Sequence, residues 1–182
     1  MEHTTLPFIY LALPILIVIF IVDVVRNKRG LQQRILQVGF GVYLLALLDV
    51  TLGEIWLPSL PEESIYAQIQ LMPLYFLVDI YQTYEMGTFY FINAINLSFY
   101  NVLLFVPLGV FLYLLFQLRN GLIATLFLFL ASLLIETSQL VLGSNGLIFS
   151  RIFDVDDLLL NTTGGVVGYY VTKWIGERIK RR

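Results

Sequence analysis

The stretch GLIATLFLFLASLLIETSQLVL (Gly121–Leu142) is apolar almost throughout, and Glu136 is its only charged residue. A bilayer hydrocarbon core about 30 Å thick takes about 20 mostly apolar residues per helix. Backbone polar groups find no water at that depth, so a spanning segment is a helix or part of a closed barrel. The apolar residues run on without alternation, which favours a helix. Four further runs read the same way: about Leu6–Val25, Ile35–Leu52, Leu97–Leu118 and Leu158–Gly176. Composition agrees. Of 182 residues, 58% are apolar and 13% charged, against about 25% charged in a typical soluble domain. This excludes a nucleic-acid-binding domain, a disordered tail and an ordinary water-soluble enzyme. There is no cysteine, and the one histidine is His3, so disulfide frameworks, thiol nucleophiles and most histidine-based triads and metal clusters are excluded too.

The expectation is therefore an all-α integral membrane protein, a five-helix bundle forming a single membrane domain over 1–182. Leu6–Val25 has no positive leader and is followed directly by Arg26, Lys28 and Arg29, so it reads as a retained span rather than a cleaved signal. Orientation follows from the positive-inside rule. Ten of the eleven Lys and Arg residues fall between spans one and two, between spans three and four, or at and beyond the end of span five. These regions share one side, so the N-terminus is expected outside and the C-terminus in the cytoplasm. The other side is acidic, with Glu54, Glu62, Glu63, Asp79 and Glu85 in a first outer loop (about 53–96) and Asp154, Asp156 and Asp157 in a second. Arg151 is the one basic residue there. The first outer loop, with Tyr66, Tyr75 and Tyr81 among its aromatics, is expected to form interfacial or re-entrant segments.

Polar residues within spans are costly in lipid and tend to face partners in the bundle. At 1.5 Å per residue, Glu136 lies about 22 Å into its span, with Gln139 and Ser132 one turn away on the same face. Asp49, Asn101 and Asn161 fall at similar depth. Asp154, Asp157, Asn161 and Gly164 or Gly165 form one helical stripe. Hydrogen-bond glue between helices accounts for Asn101 or Asn161 alone, and capping accounts for one or two of the acids. Gly164, Gly165 and Gly168 read as a close-packing face. The candidate ligand-binding set is Asn101, Glu136, Gln139, Arg151, Asp154, Asp157 and Asn161. Arg151 is placed to pair with Asp154 or Glu136. No cofactor or metal site is expected.

NVLLFVPLG (Asn101–Gly109), IETSQ (Ile135–Gln139) and RIFDVDDLLLNTTGGVVGY (Arg151–Tyr169) together resemble the VanZ-like family of membrane proteins. QLMPLY (Gln70–Tyr75) is similar to that family's Asn-Leu-Ile-Pro-Phe element, with Gln70 in place of asparagine, so the resemblance covers about 70–169. It implies a small multi-pass protein of the bacterial plasma membrane whose namesake assists resistance to the lipoglycopeptide teicoplanin. It also implies characteristic positions at Asn101, Pro107, Glu136, Gln139, Arg151, Asp154, Asp157 and Asn161. Two functions stay open. One is a polar, acidic outer-leaflet pocket for an amphiphile: membrane lipid, lipoglycopeptide or lipid-linked cell-wall precursor. The other is an intramembrane enzyme acting on lipid head groups, with Glu136 as acid or base and Asp154 and Asp157 as further catalytic candidates. A transporter ranks below both, for want of an inverted repeat. Oligomeric state is left open.

Overall fold

The computed structural model describes residues 4–7, 9–26, 30–61, 65 and 68–180. His3, Lys28, Arg29, Glu62, Glu63, Tyr66, Arg181 and Arg182 lie outside the described residues. Along the chain run β1 (Thr4–Pro7), α1 (Ile9–Arg26), α2 (Leu31–Leu52), β2 (Glu54–Leu57) and β3 (Gln68–Gln70). They are followed by α3 (Tyr75–Met86), α4 (Thr88–Leu114), α5 (Gly121–Ser144), β4 (Ile152–Asp154) and α6 (Val155–Lys180). The protein is mostly helical, as its apolar runs predict. The short strands, paired β1 with β2 and β3 with β4, are additions to the all-α expectation. Among the described residues three helices, α2, α4 and α5, are long and apolar enough to cross a membrane. The apolar stretch of α1, Ala12–Asp23, is shorter, and α6 carries charged residues in both its first and last turns.

The chain divides into two compact units. The first comprises residues 1–68 and 137–152. Within it, the Gln37 side chain on α2 donates to Asp23 Oδ2 on α1 at 2.8 Å. β1 and β2 pair antiparallel, Thr4 opposite Leu57 and Pro7 opposite Glu54. The loop after α5 is tied to the β2 region by Trp56 N–H to the Leu147 carbonyl (2.8 Å) and Leu60 N–H to the Gly146 carbonyl (2.9 Å). Edge-to-face packing of Trp56 on Phe149, centroids 5.2 Å apart, supports the same join. Ile15, Val18, Ile19 and Ile21 on α1 all point outward. An apolar face this continuous is rare on a water-soluble monomer and suits a helix solvated by lipid.

The second unit comprises residues 69–136 and 153–182. Here α4 lies along α6 and α3 along the start of α4, with Tyr84 edge-to-face on Phe91 at 5.4 Å. The α4 helix begins at Thr88, well before the expected Leu97, because nothing between Gly87 and Leu97 breaks it. Part of the expected outer loop is thus helical. Phe105, Leu112, Ala124, Leu128, Leu158 and Tyr169 form the core.

Candidate functional site: a polar ladder on α4, α5 and α6

α6 presents one face to two partners, and the residue types along that face decide which partner each meets. Asp157, Gly164 and Gly168 meet α4. The Asn101 side-chain amide donates to the Asp157 carboxylate. A Cβ built at Gly164 would overlap the Val102 carbonyl oxygen, and one at Gly168 that of Val106. From α4, Gly109 answers in kind: a Cβ there would overlap the Gly165 carbonyl oxygen. Asn161 and Gly165 turn to α5. Asn161 Nδ2 donates to Ser132 Oγ at 3.0 Å, and a Cβ at Gly165 would press on the Leu128 methyls. With no hydrophobic gain between helices in lipid, small residues and hydrogen bonds are what bring helices this close.

Glu136 lies one turn along α5 from Ser132 and is only 3% exposed. Its Oε2 accepts the Asp154 N–H at 3.4 Å. Asp154 in turn caps α6, its Oδ1 accepting the Asp156 N–H at 2.8 Å. Burying a carboxylate and several amides in an apolar bundle is costly unless each finds a partner. Within the second unit three pairs meet that need: Asn101 with Asp157, Ser132 with Asn161, and Glu136 with the Asp154 N–H. Two acceptors on α6, Asn161 Oδ1 and Thr162 Oγ1, are buried with no hydrogen-bond partner among the described residues.

The structure also reveals a residue outside the candidate set. Asp156, 2% exposed, reaches from the first turn of α6 to the start of α3. Its Oδ1 accepts the Leu74 N–H at 2.5 Å and its Oδ2 the Phe76 N–H at 2.7 Å. Leu74 has φ +65°, a conformation uncommon for a non-glycine residue and here held by the two amides converging on one carboxylate. Just before it, Gln70 Nε2 donates to the Met72 carbonyl at 2.8 Å while Gln70 Oε1 accepts the Met72 N–H. Glutamine therefore closes this turn at the position where the family element has asparagine. Asp156 lies off the helical stripe, and its partners are 80 and 82 residues away.

The remaining candidates belong to the first unit. Gln139 is buried and donates to the Thr51 carbonyl at 2.7 Å, satisfying one of the carbonyls left open at the end of α2. Arg151 is exposed in the segment before β4, and Asp49 is exposed near the end of α2.

Burial raises the Asp154 carboxyl above its ordinary value of 3.8; the Asp156 and Asp79 carboxylates push the same way, and the Asp156 N–H opposes. An acid whose folded pKa is raised stabilises the fold fully below its unfolded pKa, and that contribution is lost as pH rises through the folded value. Asp154→Asn keeps a capping oxygen and removes the titration. Thermal melts from pH 3 to pH 8 are therefore expected to flatten in the variant above about pH 4. An unchanged slope would contradict this account.

No curated protein and no solved structure matches the chain. A family model does, and its reach of residues 8–176 takes in α1, α4, α5 and all but the last turn of α6, with the whole polar ladder and the Gln70–Tyr75 turn. The ladder residues and the glycines that seat them all fall within that match, and the chain belongs to the VanZ/LLP1 family.

Proposed function

We propose that this protein is a multi-pass protein of the bacterial plasma membrane, linked to glycopeptide resistance, that binds an amphiphile through the polar ladder. In this reading α1, α2, α4, α5 and α6 are the five spans, with the N-terminus outside; the spacing of the three basic regions supports it. The observation that carries the binding reading is Glu136, a carboxylate 3% exposed on an otherwise apolar helix, tied to the Asp154 N–H at the entry to α6. The unpartnered acceptors Asn161 Oδ1 and Thr162 Oγ1 favour a polar head with N–H or O–H groups, and an acyl tail suits the lipid around it. Teicoplanin, a lipid-linked cell-wall precursor and a glycolipid all meet this description.

The test is binding in nanodiscs, read by native mass spectrometry with each of these three probes. The wild type is expected to bind at least one. Glu136→Gln, which keeps the shape and removes the charge, is expected to weaken that binding by roughly ten-fold or more, the value of a charge-assisted hydrogen bond. Binding of none, or identical binding by the variant, would sink the proposal. Conversion of a probe to a new mass would establish the enzyme reading instead, with Glu136 as its acid or base.

A further inference from the structure

We propose that the opposite end of the second unit, where the α4–α5 connection meets the last turns of α6, binds the headgroup of an anionic phospholipid. Three cations gather there on aromatic rings. The Arg119 guanidinium sits 4.2 Å above the Tyr113 ring, Arg178 sits 4.1 Å above Trp174, and the Lys173 ammonium is 5.9 Å from the Tyr170 ring. Lys173 also donates to the Arg119 backbone carbonyl at 3.5 Å, which ties its ammonium to the α4–α5 connection that carries Arg119.

The platform beneath them is rigid. Tyr113, Tyr169 and Tyr170 pack edge to face with centroids 5.9 and 5.2 Å apart, and the buried Tyr169 hydroxyl donates to the Leu118 carbonyl at 3.1 Å. Gly121 leaves no room for a side chain beneath Tyr170, which fixes the connection against α6.

Among the described residues, none of the three cations forms an ion pair, although Glu177 lies on the same turns of α6. Three cations against one nearby carboxylate leave a net positive cluster, and a phosphate relieves that repulsion: Arg offers a bidentate fork and Lys a point charge. The phosphate of a lipid fits better than a free anion. Exposed Trp174, Ile175, Ile179 and Leu122 flank the cations, an apolar surface that acyl chains cover and inorganic phosphate does not. Aromatic rings with cations at a helix end are also the side chains that settle at a membrane interface. This site is independent of the polar ladder, and its failure leaves the proposed function standing.

The test titrates the full-length protein, in neutral detergent, with phosphatidylglycerol, phosphatidylcholine of the same chains, or inorganic phosphate, read by native mass spectrometry. Phosphatidylglycerol is expected to be held at least ten-fold more tightly than phosphatidylcholine, with no phosphate adduct. Each cation near an anionic surface contributes a factor of about five, so Arg119→Gln with Lys173→Gln is expected to weaken phosphatidylglycerol binding about 25-fold. The same double change should leave phosphatidylcholine binding unaltered. Arg119→Lys with Lys173→Arg should keep the preference. Equal retention of both lipids, displacement of phosphatidylglycerol by phosphate, or wild-type binding by the neutralised variant would overturn the proposal. If that variant does not fold, the wild-type preference and its decline with rising salt decide the question.

Discussion

Gly164→Ala and Gly168→Ala are each expected to cost about 3 kcal/mol or more, the upper end of what overpacking costs. At both positions the new methyl would overlap a backbone carbonyl oxygen of α4, and a backbone in mid-helix cannot move aside alone. The helices would have to separate, and the Asn101–Asp157 bond would go with the contact. Gly165→Ala is the internal control. Its methyl would meet the side chain of Leu128 before any backbone atom, and that side chain can change rotamer, so a loss of about 1 kcal/mol is expected there. Thermal or denaturant unfolding in detergent measures all three. If Gly164→Ala is tolerated as well as Gly165→Ala, the close approach of α4 and α6 is wrong.

Asp156→Ala should release α3. The substitution removes the acceptors of two backbone amides, each held by a charge-assisted bond, at a cost of about 3 kcal/mol. It also removes what holds Leu74 at φ +65°. Because the loss is local, hydrogen exchange over residues 70–86 is the sensitive readout, and protection there is expected to fall at least ten-fold while that of α5 stays. Asp156→Asn retains one acceptor oxygen and should fall between wild type and alanine. Unchanged protection in the alanine variant would show that α3 is held by other contacts.

The helices were legible because lipid leaves the backbone so few options. A run such as Gly121–Leu142 has one conformation open to it, and α5 spans Gly121–Ser144. The stripe on α6 was legible for a related reason: residues at helical spacing share a face whatever they touch. Partners were harder to read. Asp157 with Asn101 and Asn161 with Ser132 follow from helix pairings that periodicity within one segment does not encode. Asp156 escaped because a pattern search weighs residues on the stripe and passes over the acid beside it. Gly109 escaped similarly, since its reason for being small is a carbonyl on another helix; the Pro107-Leu108-Gly109 sequence was the only hint. The extension of α4 back to Thr88 was obscured because residues 88–96, rich in aromatics, fall within the stretch read as an interfacial outer loop and form helix here.

The Asp156 clasp has a consequence for biogenesis. Its carboxylate leaves the ribosome some 80 residues after the amides it receives, which at 5–20 residues per second is a delay of about 4–16 s. During that interval α3 waits without its cap, while α4 and α5 are being made. The start of α3 is therefore closed only when the last helix arrives, which makes this carboxylate a late checkpoint on correct assembly.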